Sequence, residues 1–326
     1  MAISITVSPE TAGRLRPLNV LRDLPAVADL IELCFNKTLG DDGQEYLRNM
    51  RESSGDANFL KWASRTVDSI SLPLSGYVWD DGGRIVGNVS LIPFHKRGYK
   101  VYLIANVAVH PDYRRRGIAR LLTDMAMQHA RQKGAHSLWL QVRDDNPGAI
   151  HLYQQLGFVE RMRRSEWRAK PYSPLPPPPE GYRILRRGAA DWPDQAAWLA
   201  QAYPDALYWY FSPHWQSFAP GLWTSFKRAL SDTSLEQWSV YQGRRLRGVI
   251  SVQTGFSRVA QAWVAAPPNA DNALLALLIH ARQAARGFYT VAVDYPAYEH
   301  AEAFEMAGFN LLRTLVWMQA PGAQLR

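Results

Sequence analysis

Hydrophobic residues along the first half of the chain recur with two different periods. Spacings of three and four residues predict helices over 23–35, 43–65, 118–133 and 147–156. Alternation of apolar and polar residues predicts strands over 16–20, 75–79, 84–93, 101–109, 138–142 and 161–169. Because the strands come first and two crossover helices follow, this order predicts an α/β fold built on a mixed sheet.

Turn and cap residues separate these elements. The run Asp80-Asp81-Gly82-Gly83 stands between two predicted strands and is typical of a hairpin turn. Gly134 follows the helix predicted over 118–133 as a C-terminal cap. Asn146 precedes Pro147, and these two residue types are favoured at the cap and first turn of a helix.

A proline-rich segment divides the chain. Prolines at 171, 174 and 176–179 cannot continue a helix or a central strand, and they favour an extended spacer. We therefore predict a first domain over 1–170, a linker over 171–181 and a second domain over 182–326. A length of 326 residues also suggests two domains.

The second half repeats the first. The tetrapeptide HARQ stands at 129–132 and again at 280–283, and the same offset places Gly157 on Gly308 and Phe158 on Phe309. A hairpin predicted over 236–251 and a strand over 258–265 precede the second copy, as in the first half. We interpret the chain as a duplicated fold.

The aromatic residues of the second half allow three interpretations. They form the core of that domain, pack on the first domain or line an acceptor pocket: Tyr203, Tyr208, Trp209, Tyr210, Phe211, Trp215, Phe218 and Trp223.

Composition and charge restrict the possible partners. No run of about 18 apolar residues predicts a membrane span. The start of the chain does not resemble a secretory signal, so a cytoplasmic location is expected. The single cysteine, Cys34, forms no internal disulfide and is predicted to be a small buried residue. A net charge of +8 favours an anionic partner, and its clustering at Arg114–Arg116 favours a phosphate-bearing small molecule over nucleic acid.

The segment Arg114–Arg120 predicts an anion site. The first turn of a helix leaves N–H groups unpaired, and the helix dipole adds partial positive charge there. Gly117 lets the backbone approach a phosphate closely, and Ala119 keeps the helix start uncluttered. A bound anion satisfies both the free N–H groups and the charge. The alternative is a basic helix start exposed to water.

Two motifs together resemble the GNAT superfamily of acetyl-CoA-dependent N-acetyltransferases. The first is Arg114-x-x-Gly117-x-Ala119, placed between a strand and an amphipathic helix. The second is DN-x-x-A-x-x-L-Y-x-x-L-G-F, which begins at Asp145 and ends at Phe158. The resemblance covers the first domain and implies two tandem GNAT-like domains, the second of them degenerate.

The resemblance implies acetyl-CoA as acyl donor and assigns residues to it; no metal is expected. The pyrophosphate is held by N–H groups of residues 115–120, with arginine side chains near the phosphates. The pantetheine arm pairs with a splayed strand around Val107, Ala108 and Val109. The implied cofactor residues are Val107, Ala108, Val109, Arg114, Arg115, Arg116, Gly117, Ile118, Ala119, Arg120, Asn146, Ala149 and Tyr153.

Four of these residues keep an alternative interpretation. Asn146 contacts the cofactor, caps a helix, or does both. Val107 and Val109 are otherwise ordinary residues of an unbroken central strand. Tyr153 is the implied general acid, since a phenol can protonate a departing thiolate held within hydrogen-bond reach. Its alternative is a core aromatic residue, because it stands three residues after Ile150.

The second domain lacks this machinery. It reads AAPPNADNALLALLI where the first domain has the arginine turn, and Phe304 replaces Tyr153. We therefore expect it to be catalytically inactive.

The general base is not identified by the sequence. The strand LIANVAV holds no acid, and the candidates are His95, His110, Asp144, Asp145 or a water chain. His110 is interpreted as a turn residue.

The predicted function is transfer of an acetyl group to a primary amine on a small molecule by direct attack. The alternatives are a protein or peptide acceptor, or an acyl-CoA-binding sensor without catalysis. A monomer and a homodimer are both compatible with a tandem chain.

Overall fold

The computed structural model describes residues 14–36, 41–53, 75–96, 98–170, 173–211, 214–221, 233–255, 258–285 and 289–323. The chain forms two compact units that do not coincide with its halves. The first unit consists of Met1–Val142, Asn146–Arg161 and Trp317–Arg326. The second consists of Arg143–Asp145 and Met162–Val316.

The first unit contains a mixed sheet with helices between its strands. The strands are β1 (Leu15–Pro17), β2 (Ser75–Asp81), β3 (Arg84–Lys96), β4 (Tyr99–Val109) and β5 (Ser137–Arg143). The helices are α1 (Val20–Phe35), α2 (Asp41–Ser53), α3 (Ile118–Gln132) and α4 (Pro147–Gln155). The strands lie in the order β1-β2-β3-β4-β5. Pairing is antiparallel as far as β4, and β4 and β5 are parallel.

Helices pack on this sheet through apolar side chains. The cluster around α1 and α2 includes Leu24, Val27, Ile31, Leu47 and Met50, all almost completely buried. Helical spacing along α1 puts its apolar residues on one face, which explains this cluster.

Helix α3 lies close to β3 at Gly87. A Cβ atom at that position would lie 3.0 Å from side-chain atoms of Ile118, Leu122 and Trp79. The absence of a side chain at Gly87 therefore allows the start of α3 to pack closely on the sheet.

The second unit contains another mixed sheet with helices. Its strands are β7 (Tyr182–Arg186), β8 (Ser234–Gln242), β9 (Arg245–Thr254), β10 (Val259–Ala265) and β11 (Thr290–Pro296), together with the larger parts of β6 (Val159–Ala169) and β12 (Asn310–Pro321). Its helices are α5 (Trp192–Ala202), α6 (Asp271–Ala284) and α7 (Ala301–Met306). The order is β6-β11-β10-β9-β8-β7, with β10 and β11 parallel. A mostly aliphatic core of α6 side chains packs on these strands.

Strand β6 accounts for the difference between the units and the domains expected from sequence. Residues Arg164–Ala169 pair antiparallel with Pro296–Val291 of β11. Residues 162–169, which the proline-rich segment assigns to the first domain, therefore belong to the second unit. The hydrogen bonds to β11, and not the position of these residues before the proline-rich segment, place them in this unit.

Most element boundaries agree with prediction to within a few residues, and two regions differ. The strand predicted over 16–20 is shorter, because Asn19 caps α1 and its side chain accepts from the N–H of Arg22. The helix predicted over 43–65 spans Asp41–Ser53, and residues 54–65 lie outside the described residues.

The aromatic segment of the second half packs mainly within its own unit. Tyr203 and Phe218 are buried in its core, and Trp209 is also buried. Trp223 lies outside the described residues. Among the helices that the structure describes, none is both long and apolar enough to cross a membrane.

Candidate active site

Strands β4 and β5 separate partway along their length. Their parallel pairing runs from Val101 and Ser137 to Ile104 and Leu140, although both strands continue beyond that point. On the other side of β4, the register with β3 shifts between Asn88 and Ser90, which marks a bulge. A bulge bends its strand and increases its twist. Backbone groups of 105–109 are therefore released from the β5 ladder within the described residues 98–170.

Asn106 lies at this bulge with a φ of 51°. This left-handed conformation is rare for residues other than glycine, and asparagine tolerates it better than most. Asparagine is depleted in strands, so its place within the strand predicted over 101–109 was a local signal of an irregularity.

A buried polar network surrounds Asn106. Its Nδ2 donates to the Tyr46 hydroxyl at 2.8 Å and to Ser90 Oγ at 3.3 Å. Its carbonyl accepts from Asn88 Nδ2 at 2.9 Å. Asn88 Oδ1 is buried and has no hydrogen-bond partner among the residues that the structure describes. Sequence reasoning missed Tyr46, because nothing in the pattern of α2 connects it to β4.

The turn before α3 has the backbone geometry of an anion site. Arg115 and Gly117 both have positive φ, at 63° and 78°. The first N–H to bond back into the helix is that of Leu121, which donates to Gly117 carbonyl at 3.1 Å. The N–H groups of Ile118–Arg120 thus precede the first helical bond, as at every helix start. A Cβ at Gly117 would meet no atom within 4 Å, so the space above the turn is open.

The arginines of this turn differ in their contacts. Arg114 Nε donates to Val109 carbonyl at 3.2 Å, and Arg116 donates to Asp112 carbonyl at 2.9 Å. The Arg116 guanidinium also lies over the ring of Tyr113. Arg120 donates to Gln155 Oε1 at 2.9 Å, which ties α3 to α4. These three arginines and Arg115 are at least partly exposed, so their donors are accessible to a phosphate-bearing ligand.

Helix α4 places Asn146, Ala149 and Tyr153. Asn146 Oδ1 accepts from the N–H of Ala149 at 3.1 Å, so the helix-cap role is present. Asn146 is exposed, and this single contact leaves its Nδ2 available to a ligand. Tyr153 is 7% exposed and meets Phe158 edge to face. Burial raises the pKa of Tyr153, so its phenol stays protonated at neutral pH.

The candidate bases are mostly engaged elsewhere. His110 Nδ1 accepts from the N–H of Asp112, and its Nε2 lies 2.9 Å from Arg84, so it serves the turn as predicted. Asp145 forms a bidentate pair with Arg143, which lowers the pKa of its carboxyl. His95 is exposed on β3. These contacts single out none of these residues as the general base.

Cys34 is only partly buried, which differs from the expected buried position. Its Sγ donates to the carbonyl of Val109 at 3.3 Å. Burial raises the pKa of this thiol, so it is not a thiolate nucleophile at neutral pH.

The residues of the second unit that correspond to this site have different chemistry. Pro267 and Pro268 follow β10, where the first unit has its arginine turn, and prolines have no N–H to donate. Phe304 is fully buried and stacks on Trp167 with ring centroids 4.9 Å apart. Its role in the structure is core packing.

The model of the acetyltransferase (GNAT) family matches residues 27–158. These residues are therefore similar to the GNAT family. The matched segment contains both the bulged strand β4 and the positive-φ turn before α3. Below, residues 27–158 are called the GNAT domain.

Curated relatives of the chain include acyltransferases with different acceptors. A ribosomal protein bS18-alanine N-acetyltransferase of Escherichia coli is 42% identical over 62 residues, which are 19% of this chain and 42% of that protein. An L-amino acid N-acyltransferase of Escherichia coli is 29% identical over 109 residues, 30% of this chain and 63% of that protein. The matches thus span less than two thirds of either relative.

Solved structures extend the likeness in fold beyond the GNAT domain. A GCN5-related N-acetyltransferase from Sphaerobacter thermophilus superposes with a TM-score of 0.57 at 17% identity. The alignment covers 96% of this chain and 98% of that one. The predicted mixed α/β fold of the GNAT type is confirmed by this likeness and by the sheet itself.

Proposed function

We propose that this protein is an N-acetyltransferase that transfers the acetyl group of acetyl-CoA to a primary amine. The observation that carries the proposal is the turn Arg114–Gly117, whose positive-φ residues stand before the free N–H groups of α3. Phosphates fit this place because the donors, the helix dipole and the arginines all favour negative charge. The GNAT family match supports acetyl-CoA as the donor.

The site residues have distinct tasks in this proposal. The N–H groups of residues 115–120 bind the pyrophosphate, and the arginine side chains add charge around it. Backbone groups of Val107, Ala108 and Val109, where β4 separates from β5, bind the pantetheine arm and orient the thioester carbonyl. Asn146 and Ala149 at the start of α4 bind the same arm. Acetyl-CoA itself supplies the acetyl group as a thioester.

Catalysis rests mainly on orientation. The acceptor nitrogen attacks the thioester carbonyl directly in a ternary complex, without an acetylated enzyme residue. Tyr153 donates its phenolic proton to the departing sulfur. The Tyr46 hydroxyl is a second protonated group beside the opened strand, because burial raises its pKa to about 12.

The acceptor is proposed to be a small-molecule amine of low pKa. Strand β4 carries no carboxylate base, so an acceptor amine whose pKa lies below the lysine value of about 10 enters the neutral form more readily. The L-amino acid N-acyltransferase among the relatives supports this class. The alternative is a peptide or protein amine, supported by the ribosomal protein-alanine N-acetyltransferase.

The second unit is proposed to be a degenerate GNAT-like domain that does not catalyse. The repeated HARQ, the shared order of strands and helices, and the replacement of Tyr153 by Phe304 support this.

Calorimetric titration of acetyl-CoA, combined with a thiol-release assay over free amino acids and alanyl peptides, tests the proposal. We expect one acetyl-CoA site per chain, lost in Gly117→Glu, and thiol release with at least one free amino acid. Binding without release for any amine would instead favour an acyl-CoA sensor. Release with alanyl peptides alone would favour the peptide acceptor, and absence of binding would contradict the proposal.

A further inference from the structure

The second unit contains a cavity of about 440 Å³. It lies where β10 ends and α6 begins, and part of its wall comes from α5 and from the turn after β11. Residues on its wall include Trp198, Asn269, Asp271, Tyr295, Glu299 and His300. This volume is within the range of small-molecule sites in proteins.

The charge of this cavity is opposite to that of the arginine turn. Asp271 and Glu299 contribute carboxylates, and none of the described residues on the wall is lysine or arginine. His300 Nδ1 lies 2.8 Å from Asp271 Oδ1, which orients that carboxylate. The two carboxylates would repel an anion. Pro267 and Pro268 have no backbone N–H group to donate to a phosphate.

Tyr295 contributes a hydroxyl group to the cavity wall. Its side chain is 2% exposed, and its ring packs edge to face against the ring of Tyr203. A hydroxyl group on a cavity wall can hydrogen-bond to a ligand or to water. Burial and the nearby Glu299 carboxylate raise the pKa of Tyr295, so the hydroxyl is neutral.

Trp198 adds an aromatic ring to the cavity wall. An indole face attracts cations, and an aromatic wall also covers an apolar chain. We propose that this cavity binds a small organic cation, an alkyl amine whose ammonium pairs with Asp271 and Glu299 and whose chain lies against Trp198 and Tyr295. The site is independent of acetyl transfer, because it needs no residue of the GNAT domain.

Calorimetry on the full chain without acetyl-CoA tests this site. The probes are cadaverine, agmatine and spermidine at constant ionic strength, with glutarate as the anionic control. We expect at least one amine to bind at one site per chain, and glutarate to give no heat of binding. Glu299→Gln is expected to weaken amine binding roughly 10-fold, and Glu299→Lys to abolish it. Glu299 is exposed, so both variants are expected to fold.

A matched control separates local pairing from general charge. Glu302 is an exposed acid in the first turn of α7 and is not on the cavity wall, so Glu302→Gln is expected to change affinity less than about twofold. Tyr295→Phe removes only the hydroxyl and is expected to weaken binding. Gly117→Glu is expected to leave amine binding unchanged, which distinguishes this site from the acetyl-CoA site.

Three results would overturn the proposal. The first is no binding of any of the three amines at millimolar concentration. The second is amine binding that survives Glu299→Lys, since the amine would then bind elsewhere. The third is binding of acetyl-CoA at a second site whose affinity rises in Glu299→Lys. Such a result would show that the cavity binds anions.

Discussion

The side-chain nitrogen Nδ2 of Asn106 donates to the hydroxyl oxygen of Tyr46 at 2.8 Å. This bond connects the bulge of β4 to helix α2, and it holds a residue with left-handed φ in place. Backbone conformations of this kind persist only where surrounding contacts enforce them, and they concentrate at functional sites. The bulge that opens β4 therefore depends on a side chain 60 residues away in the sequence.

Replacing Asn106 tests this dependence. Asn106→Ala forces a Cβ-bearing residue without a polar side chain into left-handed φ, and it leaves the Tyr46 hydroxyl unpaired. We expect the free energy of unfolding to fall by about 3 kcal/mol, as measured by urea denaturation.

Asn106→Gly is the matched control, because glycine adopts this φ without strain. The free energy of unfolding is expected to fall about half as much in Asn106→Gly as in Asn106→Ala. Equal losses for both variants would show that backbone strain at position 106 contributes nothing.

Tyr153→Phe tests the general acid. We expect kcat to fall about 100-fold, with the KM for acetyl-CoA unchanged, because only the proton donor is removed. Burial raises the pKa of Tyr153, so the neutral donor persists in alkaline solution and is lost only as pH rises through that raised value. The kcat of the wild type is thus expected to show no Tyr153-dependent decline below pH 10. An unchanged kcat in the variant would remove Tyr153 from the mechanism.

Gly117 and Gly82 form a natural pair for testing the phosphate turn. Both have positive φ, and at both a Cβ would meet no atom within 4 Å. Alanine at either position should cost about 1 kcal/mol of stability from backbone strain alone. Only Gly117→Ala is expected to weaken acetyl-CoA binding, measured by calorimetry. Equal affinities in the two variants would argue against phosphate binding at α3.

Asp23 is a buried acid whose charge affects stability. It is 2% exposed and forms a bidentate pair with Arg16, at 2.6 and 3.0 Å. Burial alone would raise the pKa of Asp23, but the bonds from Arg16 and from the N–H of Asn19 lower it overall. Because the folded-state pKa is lowered, this stabilisation is present above the unfolded pKa near 3.9 and is lost as pH falls through the folded value.

Asp23→Asn is therefore expected to cost about 3 kcal/mol at pH 7 and to flatten the loss of stability below pH 4. Denaturant titrations at several pH values measure both effects. Asp29→Asn is the control, since its pair with Arg51 is exposed and should contribute less than about 1 kcal/mol. Comparable losses in the two variants would contradict the importance of burial.

Local pattern determined most of the secondary structure. The hairpin turn Asp80–Gly83, the start of α3 at Ile118 and the cap of α4 at Asn146 follow from residue types at fixed spacing. These features depend on backbone sterics and nearby hydrogen bonds, which involve residues close in sequence. The same reasoning predicted the arginine turn, because its chemistry lies within seven consecutive residues.

Only the tertiary structure decided which distant residues meet. Tyr46 joins Asn106, residues 162–169 pair with β11, and Tyr295 lies on a cavity wall with Asp271. These relationships arise from strand pairing and packing between segments far apart in the chain. A single sequence carries no local pattern for such contacts, because their energy depends on shapes that exist only after folding.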